Sequence, residues 1–401
     1  MASQKIDPEN QNQLRELAAE FNKRVVEPVA YDLDRQADAE DSFSWDIVEE
    51  ASKAGLRTLT LAPEYGGPGV DSLGVAIVIE ELAKADIGVS VIMAQTLKLI
   101  QSIQGACNQE QKDRYLPRIR DDERCVLAIG FTEPDTASNY IIPFDDPSGG
   151  YRTTAVKADG GWVINGFKQF ISNGNRAAFY LLFAQTDPDK SVVEGSTCFL
   201  LEAGADGFTT GTVHDKLGER LANNSELLFK DCFIADENVV GELHRGFDVQ
   251  KRFFPASNTY AAASVLGMAT DAYERALAWT RKRVQGGKPL IEHDSVAAQL
   301  AEMRMLLDST RTYIRHAAWA ADHPEDGWDA TLGAFPKVLA SQVGWKVATM
   351  AMELHGGYGF MRDQGTEMDK TLRDASTFLH SDGANLSLLL KGANVIRAED
   401  S

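Results

Sequence analysis

Cysteine is scarce in this chain of 401 residues: Cys107, Cys125, Cys198 and Cys232 stand far apart, with no CxxC pair among them. Nor is there a histidine series at metal-ligand spacing beside them. That pattern argues against a disulfide framework and a zinc site, and the four read as buried thiols in a reducing compartment. Basic residues are in deficit too, with 40 Lys and Arg against 59 Asp and Glu, for a net charge of −19. A chain of that sign repels phosphate backbones and anionic membranes, which excludes nucleic acid as an expected partner. No run approaches the roughly 18 apolar residues of a membrane span, and the opening MASQKIDPENQNQ lacks an apolar signal core. The expected setting is the cytoplasm, without membrane insertion. Internal repeats and low-complexity segments are also absent.

An acidic protein can still hold an anionic cofactor, because a few arginines or helix N-termini act at short range. Apolar residues at 44% and charged residues at 25% are ordinary for a globular chain. The length allows two or three domains.

The periodicity falls into three blocks. Leu14, Leu17, Phe21, Val25 and Val29 recur at helical spacing and predict a helix over 10–35, followed by helices at 44–55, 71–86, 88–106 and 108–119. Between them, the Pro- and Gly-rich 61–70 is a loop. From Cys125 the segments are short, apolar or alternating, and predict strands at 151–158, 161–165, 178–185, 196–202, 208–213 and 225–232. From about 241 the helical period returns, with expected helices at 246–284, 292–322, 329–356 and 367–397, enough for an antiparallel four-helix bundle. The predicted fold is α+β and multidomain: a helical domain over 1–122, an antiparallel β domain over 123–240 and a helical bundle over 241–401.

Near the end, Asp382-Gly383 follows a run of mostly apolar or small residues, an arrangement that suits a carboxylate at a tight bend where a ligand approaches the backbone. The same dipeptide is among the commonest turn signals. Two further features stand beside it. Phe131 and Phe170 are aromatics in strand segments, where most such residues are core. Arg281-Lys282-Arg283 is a basic trio at a helix end, a common solvated cap favoured by the dipole.

Glu353-Leu354-His355-Gly356-Gly357-Tyr358-Gly359-Phe360, with Lys370, Arg373-Asp374 and Asp382-Gly383 beyond it, resembles the closing signature of the acyl-CoA dehydrogenase superfamily of flavoproteins. The loop Pro63–Gly69, Glu80-Glu81-Leu82, Ala128–Pro134 and Phe170–Gly174 are similar to further family segments in the same order. The resemblance runs from about residue 10 to residue 397 and implies the family's helical, β, helical fold with bound FAD. It places Asp382 at the catalytic base, usually a glutamate, so the carboxylate is kept and one methylene is lost. It further implies that Phe131 and Thr132 contact the pyrimidine side of the flavin. Phe170 would pack on the ring and Ser172 bond near N5, with Gly383 at the cofactor. Arg283 would reach the pyrophosphate of a neighbouring subunit's flavin, opposite Glu353, Gly356 and Gly357. Ser138, Ser257 and Asn258 fall on the substrate side. A rigid guanidinium fork suits two adjacent phosphates.

The departures are local. Asp135–Tyr140 replaces the usual small and polar run after Thr-Glu-Pro, inside a longer loop with Pro143 and Pro147. Asn258 stands for a common arginine, and Ala384 and Leu386 for a threonine and a glutamine. Asp382-Gly383, Ser257 and Gln285–Lys288 are similar to one superfamily member, nitroalkane oxidase, but Leu389 stands where that enzyme has the arginine partner of its aspartate. An ionised carboxylate buried without a cation has a raised pKa, so that absence bears on the base.

The resemblance implies α,β-dehydrogenation of an acyl-CoA thioester, a homotetramer, and reoxidation by an electron-transferring flavoprotein or oxygen. Two alternatives stay open on the sequence: a nitroalkane-oxidase-like flavoenzyme, and a catalytically silent binding or assembly relative.

Overall fold

The computed structural model describes residues 6–326 and 328–399. Helix α1 (Gln11–Phe21) begins where the Asn10 side chain accepts from Gln13 N, and runs into a π-helical turn at Asn22–Val26. The helix expected to continue to Arg35 is therefore interrupted. Pro28 has no N–H for the helical ladder, and the chain restarts as α2 (Ala30–Asp34). Then come α3 (Trp45–Lys53), α4 (Ser72–Ala85), α5 (Ile87–Ala106) and α6 (Gln109–Asp121). Each is N-capped by a side-chain oxygen, from Ser44, Asp71, Asp86 and Asn108 in turn.

The middle of the chain forms one eight-stranded sheet. Its strands are β1 (Leu127–Gly130), β2 (Thr154–Ala158), β3 (Gly161–Ser172), β4 (Phe179–Gln185), β5 (Ser196–Glu202), β6 (Phe208–Val213), β7 (Asn224–Ala235) and β8 (Val239–Val240). A single helical turn, α7 (Val192–Gly195), precedes β5. The spatial order is β6-β7-β3-β2-β4-β5-β8, with β1 against β4. The sheet is mixed rather than purely antiparallel. β1 runs parallel to β4, because its chain arrives from a helix and not from a hairpin.

After the sheet, α8 (Gly246–Lys282) leads into the ribbon β9 (Val284–Gln285) and β10 (Lys288–Pro289), then α9 (Asp294–Asp322) and α10 (Phe335–His355). The fourth long helix expected over 367–397 is two helices, α11 (Met368–Thr377) and α12 (Asn385–Glu399). Asp382 and Gly383 take positive φ, 51° and 93°, which no right-handed helix tolerates.

One hydrophobic core joins the two helical blocks: Leu14, Val78, Ile79, Leu266, Met303 and Val347 belong to it. Its axis is α8, packed against α4, α5, α9 and α10, and the run Ala261, Ala262, Ala263 brings backbones close. A second core joins α5 and α6 to the sheet through Leu99, Ile103, Leu116, Leu127 and Phe183. All four cysteines are buried and free. Among the described residues no helix is long and apolar enough to cross a membrane.

Candidate active site

The break between α11 and α12 is held from several sides. Aspartate and glycine are the residues that most readily occupy the left-handed region. A Cβ at Gly383 would lie 3.1 Å from Ile141 Cδ1 and 3.2 Å from Leu388 Cδ2, so the turn is also packed. Beneath it, Lys337 Nζ donates to Gly383 O (2.7 Å) and Asn385 Oδ1 (3.1 Å), and Ser341 Oγ donates to the same Asn385 oxygen (3.0 Å). Burial pulls the Lys337 ammonium down to about 8, against the field of Asp382.

The Asp382 carboxylate has a cationic partner. Lys98 Nζ, from α5, lies 3.6 Å from Asp382 Oδ1, an ion pair just beyond hydrogen-bond length, and donates to Ser257 Oγ at 3.3 Å. The concern raised by Leu389 is thereby removed. Leu389 is 44% exposed on α12, and the charge comes from a helix nearly three hundred residues earlier in the chain. Burial lowers the Lys98 pKa, and Asp382 is the strongest influence raising it.

A second carboxylate faces the same space. Glu219 is buried at φ 55°, on a loop pressed against α11; a Cβ at Gly218 would come 2.5 Å from the Arg373 carbonyl carbon. Its N–H donates to Asp374 Oδ1 (2.7 Å), and Lys216 Nζ stands 3.6 Å from its carboxylate. Burial raises Glu219 to about 7 against the pull of Lys216, with Asp382 and Asp374 adding to the rise. Behind it Lys370 bridges Asp86 (2.7 Å) and Asp374 (2.6 Å), and those carboxylates hold its pKa up despite burial.

The loop that departs from the family pattern folds over this turn. Ser138 Oγ pairs with Ser387 Oγ (2.8 Å), and Ile141 meets Gly383. Tyr140 stacks on Phe131 with centroids 4.9 Å apart and shares a hydrogen bond with Thr132 Oγ1 (3.2 Å). The Phe131 ring is 6% exposed and also packs on Phe183, so this side chain is core. The Asn258 amide donates to Gly333 O, which ties it to the chain. Glu133 of Thr-Glu-Pro roots the loop. It pairs with fully buried Lys168 (2.7 Å) and accepts from Arg152 N and Thr153 N at 2.6 and 3.0 Å.

Phe170 behaves oppositely to Phe131. A bulge between Lys168 and Ile171 puts it at φ 61° and leaves it 56% exposed, with His214 at 4.8 Å. Asn224 Nδ2 fixes the bulge through Phe170 O (2.9 Å) and Ser172 Oγ (3.1 Å), and Lys216 holds Asn224 at 2.6 Å. Gln169 N donates to Thr132 O (2.8 Å), which brings the Thr132 and Phe170 segments together. An exposed aromatic on a rigid bulge beside a hydroxyl suits a flat ring system.

Arg283, Glu353, Gly356 and Gly357 meet elsewhere, around a cavity of about 560 Å³ also lined by Trp279, His355 and Tyr358. The Arg283 guanidinium lies 5.3 Å from the Tyr358 ring centroid. Trp279 Nε1 is a buried donor without a hydrogen-bond partner, and Cβ atoms at Gly356 and Gly357 would meet nothing within 4 Å. A guanidinium, an orphaned N–H and open glycine backbone form a donor set that fits a dinucleotide's phosphates and sugar. Burial lowers the His355 pKa, favouring the neutral ring that stacks on Trp279.

Three family models cover nearly the whole chain: the acyl-CoA dehydrogenase N-terminal domain over 8–123, the middle domain over 128–232 and the C-terminal domain over 244–394. This chain belongs to the acyl-CoA dehydrogenase family. It is accordingly an FAD-dependent oxidoreductase acting on CH–CH donors. Among relatives, it is 32% identical over 367 residues to the short-chain specific acyl-CoA dehydrogenase of Clostridium acetobutylicum, covering 91% of this chain and 92% of that one. The structure of butyryl-CoA dehydrogenase from Megasphaera elsdenii matches with a TM-score of 0.88 at 30% identity, over 99% of this chain and 100% of the other. A chain from the electron transferring flavoprotein of Acidaminococcus fermentans matches with a TM-score of 0.87 at 28% identity, over 99% of each.

Sequence reasoning missed Lys98, Glu219, Lys337 and Tyr140. Lys98 had a signal: it is the lone charged residue within Ile87–Ala106, where an ionic side chain must find a buried partner. Lys337 sits in a similar apolar helical run. Glu219 and Tyr140 lie in loops, and only the tertiary fold brings them to Asp382.

Proposed function

We propose that this acyl-CoA dehydrogenase oxidises a short acyl-CoA thioester between Cα and Cβ, with Asp382 as the base. The observation that carries the reading is a carboxylate on a fixed left-handed turn, ion-paired to buried Lys98, in a chain the family models cover almost throughout. FAD, when bound, would supply the acceptor for the β-hydride. Asp382 takes the α-proton, and its backbone N–H donates to the thioester carbonyl to acidify that proton. Lys98 orients the carboxylate before transfer and keeps its hydrogen bond to Ser257 afterwards. Phe170 and Ser172, on the bulge of β3, would hold the flavin ring, with Thr132 beside them. Ser138 and Ser257 flank the acyl group, while Asn258 supports the pocket through Gly333.

Arg283, Glu353, Gly356 and Gly357 serve the dinucleotide of a neighbouring subunit. From Ser257 to Arg283 the chain runs roughly 39 Å along α8, farther than one dinucleotide spans. That separation supports a symmetric oligomer, taken in this reading as a tetramer. The acceptor is an electron-transferring flavoprotein, with oxygen the alternative, and free buried thiols suit the cytoplasm. We take the three structural blocks as domains with boundaries near 122 and 240.

Anaerobic mixing with butyryl-CoA tests the reaction: the yellow flavin should bleach. Bleaching by nitroethane alone would instead favour the nitroalkane-oxidase-like chemistry, and absence of flavin the silent relative.

A further inference from the structure

Helix α5 is buried all round from Ile87 to Ile100, yet not uniformly. Val91, Ala94, Gln95 and Lys98 keep 8, 7, 4 and 7% exposure, while Ile92, Met93, Thr96 and Leu97 between them have 0–2%. The four more accessible residues follow i, i+3, i+4, i+7 spacing and so share one face. Across from them on α8, Ser257, Asn258 and Ala261 keep 6, 5 and 5%, whereas Tyr260, Ala262 and Ala263 have none. The Lys98–Ser257 hydrogen bond shows that these two faces meet. Their residual exposure points to a narrow slot between the two helices, with Lys98 and its partner Ser257 at the Asp382 end.

This slot is not the wall a hydrocarbon chain needs. The Lys98 ammonium stands 3.6 Å from the base, within reach of the first acyl carbons beyond the reacting pair. One turn deeper, Gln95 Nε2 is buried with no hydrogen-bond partner. An alkyl chain laid along the slot would leave that donor unpaired, an arrangement native interiors seldom tolerate. The ionic groups around the mouth already include both signs: Lys98 from α5, Lys337 from α10, Asp382 from the α11–α12 turn, and Glu219 with Lys216 from the β6–β7 loop. An additional anion would crowd Asp382 and Glu219, whereas a neutral oxygen would not.

We propose that Gln95 is a specificity-determining residue, and that the substrate is a short acyl-CoA thioester whose acyl group carries a neutral oxygen acceptor, hydroxyl or carbonyl, beyond the β-carbon. This rests on the reading of Asp382 as the base and names the substrate class of that same site. Dehydrogenation still breaks only the Cα–H and Cβ–H bonds, with the proton going to Asp382 and the hydride to the flavin, so the distal oxygen is unchanged.

The test compares anaerobic flavin reduction of the holoenzyme by pentanoyl-CoA, 4-hydroxypentanoyl-CoA, 4-oxopentanoyl-CoA and succinyl-CoA. We expect the two neutral oxygenated thioesters to exceed pentanoyl-CoA at least tenfold in kcat/KM, with succinyl-CoA slower than either. Gln95→Leu should reverse that preference in favour of pentanoyl-CoA, and raise the melting temperature by removing the orphaned donor. Equal or better use of pentanoyl-CoA by the unaltered enzyme, preference for succinyl-CoA, or an unchanged preference in Gln95→Leu would each overturn the proposal. Bleaching by pentanoyl-CoA without the polar preference leaves the base reading standing and removes only this one. Failure of every thioester removes both.

Discussion

At the scale of single residues, the site depends on buried charges held by geometry. Asp382 and Glu219 both occupy left-handed backbone, which costs a non-glycine residue on the order of 1–3 kcal/mol and persists only where the surroundings enforce it. For Asp382 the enforcing contacts are Lys337, Ile141 and Leu388; for Glu219 they are Asp374 and the close backbone of Arg373. Glu219 also makes stability depend on pH. Its folded pKa, about 7, lies above its ordinary value, so its contribution is fully present below about 4.5 and is lost as pH rises through 7. Glu219→Gln cannot ionise and escapes that loss. Its melting temperature relative to the unaltered protein should rise by roughly 2–4 °C between pH 5 and pH 8. A difference independent of pH would show that Glu219 does not titrate in this window.

At the scale of elements, the loop between Glu133 and Thr153 decides what covers the base. Its root is the Glu133–Lys168 pair, wholly buried, in which Glu133 also holds two backbone N–H groups. Burial lowers Lys168 to about 8, with Glu133 opposing. Lys168→Met would strand the carboxylate, and breaking one side of such a pair typically costs about 3–5 kcal/mol. The expected result is a lower urea midpoint with an unchanged slope; a midpoint within error of the unaltered protein would deny the pair that role. Element type was legible in the sequence wherever a period extended over several turns, as in α4, α5 and α9. The break inside the last helix was not, because apolar spacing resumes in register after Gly383; only Asp-Gly marked it. The parallel pairing of β1 had no signal, since a four-residue apolar run carries no period.

At the scale of the whole molecule, the turn at Asp382 with its partner Ser257 and the cavity around Arg283 lie well apart along α8. In the proposed reading, a second copy of the chain completes each site. Changing Arg283 to alanine should therefore release FAD and loosen the assembly together. Light scattering and the ratio of flavin to protein absorbance report on the two effects, and loss of neither would take Arg283 out of the site. The family motifs were legible end to end, because glycines, prolines and Asp382 act through local backbone geometry. The Lys98–Ser257 pairing was not, because only the packing of α5 on α8 makes it.

The claim that organises all of this is that Asp382 is the base. Asp382→Asn keeps the size of the side chain and the tolerance for left-handed backbone, yet cannot accept the proton. In stopped-flow mixing with an acyl-CoA thioester that bleaches the unaltered enzyme, the variant should retain its flavin absorbance while the bleaching rate falls by about two to four orders of magnitude. Bleaching at the unaltered rate, with flavin still bound, would contradict the account and assign proton abstraction to another carboxylate.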